Sequence, residues 1–411
     1  MKFFKGLNKQ SLSWAFFDFA NSSYTLLILT LVFPIYFKEV IAGSAYGDLY
    51  WGLIGSIAIL AGGLTAPIMG AIADYDTKRK AKFVTFSLIS ILGTASLYFA
   101  GPNKLILASI LFIIAQYFFQ LTFSLYDAFL PHVSTQKTAG TISGLGYGLG
   151  YVGGLIAMLL LRPFYANGYA GELDNLYRLT FPLTALFFLV FSIPFFIFVK
   201  EKTIRKSESI LELAKIGFRN TFNTLKSFKK HKTIFWFLLA LYFLDDGLIT
   251  LFAFISIYAI NTLSFTIKEV SLIYALIQLI AFPSAIFLGR LSDKKGSKKI
   301  LLTAIATWAV IILILTAATS KTWFYLAALL TSLVIGASQA IPRAWLSKLV
   351  PEKKRCEFFG FNGFASRLSA ILGPIIFGSI SSFTGNQRLA MLSLLPFFII
   401  SLIIFSKIKE K

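Results

Sequence analysis

Apolar residues run along this chain in long unbroken stretches, and short polar or charged clusters separate each stretch from the next. A hydrocarbon core about 30 Å thick takes about 20 apolar residues of helix to cross. Stretches of that length fall near residues 12–37, 49–73, 82–100, 105–130, 141–161, 178–199, 233–260, 270–289, 300–318, 323–344, 358–379 and 388–407. The pattern predicts an all-α polytopic membrane protein with twelve transmembrane helices. Strands of a membrane barrel would alternate apolar and polar over about ten residues, and these stretches do not alternate. The first stretch carries Asp18 and no small-residue cleavage site follows it, so it is expected to remain as a span.

Composition agrees: 57% of residues are hydrophobic and 14% charged, with a mean hydropathy of +0.76. Soluble domains hold roughly 45–50% apolar residues, so two or three soluble domains are a poor reading. The net charge of +21 raises the question of nucleic acid, and the placement of the charges answers it. Of the 39 Lys and Arg, 31 fall in the termini and in alternate loops, among them Lys78 to Lys82, Lys200 to Lys232, Arg290 to Lys299 and Arg343 to Arg355. The intervening loops hold one or two each: Lys38, Lys104, Arg162 with Arg178, Lys268, Lys321 and Arg388. That asymmetry follows the positive-inside rule and predicts cytoplasmic termini. The expected location is the inner membrane of a bacterium. A lipid bilayer and a small-molecule solute are the expected partners, without nucleic acid, and the chain is expected to work as a monomer.

The single Cys356 forms no internal disulfide and no zinc site. His132 and His231 lie at span ends, so coupling protons would have to use carboxylates. No cofactor, metal cluster, Walker motif or nucleophile–base pair is visible, and an enzyme is not expected. Gly146-x-Gly148 sits inside an apolar span with no strand before it, so it is not read as a nucleotide loop.

The long polar stretch divides the chain into residues 1–199, a basic linker over 200–232, and residues 233–411. In the linker, Ser209 and Glu212 have capping-box spacing. Leu211, Ala214, Phe218, Phe222 and Leu225 recur at three- and four-residue steps, with Lys215, Arg219 and Lys226 off that stripe. A cationic amphipathic helix resting on the membrane surface is expected. The two six-helix halves echo each other: Gly70-Ala-Ile-Ala-Asp74 recurs as Gly289-Arg-Leu-Ser-Asp293, Ala128-Phe-Leu-Pro131 as Lys348-Leu-Val-Pro351, and Gly153 has its counterpart at Gly373.

The segments Gly70 to Lys80 and Gly289 to Lys299 resemble the loop motif of the major facilitator superfamily, Gly-x-x-x-Asp followed by a basic cluster that includes Arg79. The first copy has Thr77 where the motif has a second Gly, and the second copy keeps it as Gly296. Trp14-Ala-Phe-Phe-Asp18-Phe-Ala-Asn21-Ser22 resembles the first-span signature of the vacuolar-effluxer-like family, named for amino-acid exporters of fungal vacuoles. Asp246-Gly247, Ser338-Gln339-Ala340 with Arg343, Glu357-Phe-Phe-Gly360-Phe and Leu372-Gly373-Pro374 are also similar to that family. Asp127 and Asp245 stand where the family has Asn. The resemblance implies the major facilitator fold, alternating access, and a cavity lined by spans one, four, seven and ten.

Each of those spans carries a polar stripe. Trp14, Asp18, Asn21, Ser22 and Thr25 lie on one face, as do Gln116, Gln120, Ser124 and Asp127. Tyr242, Asp246 and Thr250 form the third stripe, and Ser332, Gly336, Gln339 and Arg343 the fourth. A charge at membrane depth costs about 2.5–3.5 kcal/mol on insertion scales, so it faces a partner or a wet cavity. Asp18, Asn21, Gln120, Asp127, Tyr242, Asp245, Asp246, Gln339 and Arg367 are therefore the candidates for solute or proton contact. Arg367 is the natural partner for an aspartate of span seven, and such a pair could equally serve only to hold the structure together. Asp246 shares a face with Tyr242 and Thr250 and is expected to matter more than Asp245, which falls with Leu238 and Leu241. Gly70, Asp74, Arg79, Gly289, Asp293 and Gly296 are the expected switching elements. The expected function is secondary transport of a small polar solute, with amino-acid efflux implied by the resemblance. The alternative is a receptor or lipid-handling protein that transports nothing.

Overall fold

The computed structural model describes residues 8–43, 45–75, 79–133, 139–200, 212, 215–219, 222, 232–349 and 371–408. The described elements are helical. Among them, eleven helices are long and apolar enough to cross a membrane, joined by one shorter apolar helix. In chain order they are α1 (Lys9–Ala42), α2 (Gly47–Tyr75), α3 (Arg79–Ser96), α4 (Leu105–Val133), α5 (Ala139–Tyr165) and α6 (Leu173–Phe198). Then follow α7 (Lys232–Leu263), α8 (Ile267–Lys295), α9 (Ser297–Ala317), α10 (Lys321–Leu349), α11 (Leu372–Thr384) and α12 (Gln387–Lys407).

Local chemistry sets the ends. Asn8 caps α1, its side chain accepting from the Ser11 amide while Ser11 Oγ accepts from the Asn8 amide. Thr266 and Glu269 form the same reciprocal box at the start of α8. Gly296 separates α8 from α9 at φ 94°, a conformation that a side chain would strain, which is why the basic loop keeps a glycine there. Two turns of α1 widen into π-helix, Thr25–Leu31 and Phe37–Ala42, and π turns often mark functional stretches of a helix.

Two compact units form, Met1–Phe33 with Leu64–Phe218 and Pro34–Gly63 with Arg219–Lys411. In the first, α1 packs on α5 and α6, and α3 on α4 and α6. In the second, α7 packs on α11 and α12, and α9 on α10 and α12, so the same neighbour relations recur six helices later. Small residues permit the close contacts. A Cβ on Gly93 would lie 3.1 Å from Ala115 across α3 and α4, and one on Gly153 would collide with the Phe19 carbonyl of α1. Aromatic rings fill the first unit, where Phe17, Phe83, Tyr126, Phe188 and Phe195 meet in one buried cluster. In the second, Trp308 donates to Ser338 and Ser401 to the Ala240 carbonyl.

Several sequence expectations need correction. Lys38 is not in a loop: α1 continues to Ala42 and encloses it. Arg162, Arg178, Lys268, Lys321 and Arg388 likewise sit on helices rather than in the connections between them. Lys215, Gly217, Phe218, Arg219 and Phe222 of the linker are helical, with Phe218 and Phe222 exposed. Ser209 and His231 lie outside the described residues.

Candidate functional site

In the first unit the polar stripe of α1 meets α4 and α5. Asp18 Oδ2 accepts a hydrogen bond from the Tyr126 hydroxyl (2.8 Å), and Asp18 Oδ1 accepts from Asn21 (3.3 Å). Trp14 stacks on Tyr126 with ring centroids 4.4 Å apart. The pair is locked from both sides, Trp14 Nε1 donating to the Tyr126 carbonyl and the Tyr126 hydroxyl lying 3.1 Å from the Trp14 carbonyl. On the facing helix α5, Gly146 leaves room for the Asp18 carboxylate, and a Cβ on Gly150 would stand 2.8 Å from Ser22 Oγ. The spacing of four between these glycines thus serves close helix packing, and it does so beside a half-buried acid. Asp127, next to Tyr126, is exposed.

Gln116 and Gln120, one turn apart on α4, place amide atoms out of solvent where no hydrogen-bond partner among the described residues meets them: Gln116 Oε1 and Gln120 Nε2. Buried polar groups rarely go unpaired, so such atoms call for a partner.

The second unit repeats the arrangement on α7 and α11. Asp246 is completely enclosed, and Oδ1 accepts from the Gly373 amide (2.9 Å) in the first turn of α11. That amide is one of the four a helix start leaves without an internal partner, and the dipole there favours the negative charge. Asp246 Oδ2 is buried with no partner among the described residues. Thr250 donates to the Asp246 carbonyl (2.7 Å), and a Cβ on Gly373 would collide with Thr250 Oγ1 and stand 2.7 Å from Asp246 Oδ1. Each unit therefore sets an acid from its first helix against a glycine of its fifth. Tyr242 and Asp245 are half-buried, and Gln339 is exposed. Arg367 lies outside the described residues, and so do the side chains of Asp74, Asp293 and Arg343 and the surroundings of Gly70 and Gly289.

Of the expected switching elements, Arg79 and Gly296 are described. Arg79 is buried at the start of α3, donates to His132 Nε2 (3.2 Å), and lies over the Phe129 ring at 4.3 Å. A guanidinium only donates, so that ring nitrogen of His132 is unprotonated in this contact.

One polar cluster escaped the reading of the sequence. Lys38 Nζ lies 2.9 Å from Asp48, and both are buried, at 6% and 3% exposure. Asp48 Oδ2 also accepts from Gln387 (2.7 Å) and Ser381, and Thr262 donates to Gln387 Oε1 (2.8 Å). No run, repeat or motif marks these positions; the only trace in the sequence is a Lys and an Asp ten residues apart around a span boundary.

The "Vacuole effluxer Atg22 like" family matches residues 50–139 and 133–411. The chain belongs to the vacuole effluxer Atg22-like family. Relatives include the uncharacterized MFS-type transporter YxiO of Bacillus subtilis (strain 168), 28% identical over 99% of this chain and 96% of the relative. The multi-drug resistance efflux pump PmrA homolog of Lactococcus lactis is 25% identical over 95% of this chain and 92% of its own. Among solved structures, the nucleoside transporter NupG superposes with a TM-score of 0.70 at 13% identity, covering 97% of this chain and 98% of that one. This Atg22-like chain is thus an integral membrane protein of the major facilitator fold, with eleven spanning-length helices and one shorter apolar helix among the described residues, and a transporter whose setting is lipid and whose cargo is a small molecule.

Proposed function

We propose that this Atg22-like protein is a secondary transporter that exports amino acids by alternating access between two six-helix halves, 1–199 and 233–411, joined by the basic linker 200–232. The observation that carries the reading is Asp246, an acid wholly enclosed in a spanning helix with one oxygen held by the Gly373 amide and the other unmatched among the described residues. An uncompensated charge in such a place is expensive, so the second oxygen takes a proton or a cationic group. A zwitterionic solute supplies an ammonium for acids such as Asp18, Asp127, Asp245 and Asp246, and a carboxylate for Arg367. Asn21, Gln120, Tyr242 and Gln339 supply hydrogen bonds, and the unmatched Gln120 amide supports that role. Gly70, Asp74, Arg79, Gly289, Asp293 and Gly296 govern switching. The protein works as a monomer in a bacterial inner membrane with both termini in the cytoplasm.

The test reconstitutes the purified protein in vesicles and follows export of a panel of amino acids, with nucleosides and a cationic drug as the competing cargo classes. Asp246→Asn, Arg367→Gln and the double variant are compared, with folded yield measured alongside. Loss in both single variants with no recovery in the double supports solute or proton contact. Full recovery in the double variant makes the two residues a structural pair, because the cost then lies in the orphaned charge. Movement of nucleosides or drug but not amino acids removes the cargo assignment, and movement of none of them, with fluorescent lipid redistributing instead, replaces solute transport by lipid handling.

A further inference from the structure

The Lys38–Asp48 cluster has no counterpart in the paired acid–glycine arrangement, and the way it is built gives it a task of its own. It lies where α1 ends and α2 begins. The segment Pro34–Gly63, which contains that junction, belongs to the compact unit formed by Arg219–Lys411 rather than to the one that holds the rest of α1 and α2. Its attachments are polar and specific. Lys38 reaches Asp48 at 2.9 Å, and Gln387 and Ser381 donate to Asp48 from α12 and α11. The Leu49 amide donates to Ser382 (3.1 Å), Ser56 to the Ile371 carbonyl (2.9 Å), Trp51 to the Ala253 carbonyl (3.0 Å), and Asn261 to Glu39 (2.7 Å).

Backbone contact is equally close. A Cβ on Gly52 would collide with the Pro374 carbonyl, and one on Gly378 would press on the Asp48 carbonyl and Leu49 Cα.

We infer that Lys38, Asp48, Ser381 and Gln387 form a latch that holds the α1–α2 end closed against α7, α11 and α12 and is broken when that end opens to its side of the membrane. A permanent joint between apolar helices needs no buried ion pair, since well-packed apolar residues are commonly as stable or more so. What polar and ionic groups add is contact that water can replace: once Ser381 and Gln387 part from Asp48, the wetted Lys38–Asp48 pair recovers hydration, whereas exposed apolar surface would not. Asp48 in the closed arrangement receives three side-chain donors; Lys38 matches its charge from α1, and Ser381 and Gln387 complete its hydrogen bonds only while α11 and α12 are in place. The inference rests on the transport reading above for its purpose but on none of its cargo assignments.

The experiment needs no solute. In Cys356→Ser protein carrying Ser56→Cys, a side chain 3% exposed beside α11, reaction with a water-soluble maleimide reports opening. Asp48→Asn and Lys38→Met should each speed that reaction at least about tenfold, because each leaves a buried charge unmatched. Gln387→Ala, which orphans no charge, should speed it by a smaller factor. The swapped pair Lys38→Asp with Asp48→Lys should return the rate towards that of the parent. Melting of the purified protein is followed for every variant. Faster labelling with the cooperative melt retained supports the latch. Unchanged labelling in folded Asp48→Asn and Gln387→Ala protein overturns it, as does acceleration that appears only in variants whose melt is lost, which would make the cluster a static joint. Because labelling is independent of cargo, failure here leaves the transport assay to be judged separately.

Discussion

At the scale of single residues, the second oxygen of Asp246 and the hydroxyl of Tyr126 make different demands. Asp246 is fixed by one backbone amide and enclosed, whereas Asp245 is half-buried beside it. Asp246→Asn is therefore expected to abolish gradient-driven export while leaving folded yield within about twofold, and Asp245→Asn to keep most of the activity. Vesicle transport with a matched yield control decides it, and equal loss in both variants would remove the distinction. Tyr126 joins Trp14 to Asp18 through one hydroxyl. A hydrogen bond to a charged group contributes about 1.5–3 kcal/mol. Tyr126→Phe should cost stability of that order, read from denaturant unfolding in detergent, and a neutral result would mean that Asp18 finds another donor. Sequence periodicity brought Asp18, Asn21 and Asp246 forward because charge inside an apolar run is conspicuous by itself. It could not show Tyr126 as the partner of Asp18, since a tyrosine at that spacing is as much at home in an aromatic core.

Helices show what a one-dimensional pattern records and what it loses. Most span positions were legible because hydrocarbon thickness dictates run length, and most observed helices begin a few residues before those runs, while 358–370 of the expected eleventh run lie outside the described residues. Lys38 was misread for the same reason: hydropathy stops at a charge, while a helix continues through it when a partner such as Asp48 waits inside. On α5, Gly146, Gly150 and Gly153 allow the close approach of α1, a partner that the sequence alone did not name. Gly153→Ala should thus behave unlike substitution at Gly168, where a Cβ would meet open space, although the φ of +87° there adds strain. Forcing a methyl against the Phe19 carbonyl is expected to cost about 1–3 kcal/mol. Gly373→Ala should do similar damage to folding and also disturb Asp246, so it should lower transport even in the fraction that folds. Comparison of thermal melts with transport per folded molecule separates the two effects, and intact transport in folded Gly373→Ala protein would contradict the close coupling of α11 to Asp246.

For the whole molecule, helix-neighbour relations recur six helices later, the duplication that short sequence echoes some 220 residues apart had suggested; Asp74, Asp293, Pro131 and Pro351 of those echoes have side chains outside the described residues. Orientation in the membrane depends on something else, the unequal distribution of cations, because a translocating loop carries Lys and Arg across at a cost and short basic loops therefore stay behind. Moving the boundaries of the helices does not upset this bias. Lys38, Lys268, Lys321 and Arg388 shift from loops to helix ends, yet each stays at the sparsely charged end of its helix. Cys356 falls in the sequence between Leu349 and Leu372, in one of the basic stretches and outside the described residues, and Lys104 is exposed in the turn between α3 and α4, where cations are few. A membrane-impermeant maleimide added to intact cells should leave Cys356 unlabelled until the membrane is opened. Lys104→Cys in a Cys356→Ser background should label at once. Prompt labelling of Cys356 with protection of the cysteine introduced by Lys104→Cys would invert the topology and place the Lys38–Asp48 latch on the cytoplasmic side. Labelling of both from outside would mean that the inner-leaflet rule does not govern this chain, and the cytoplasmic position of both termini would fall with it.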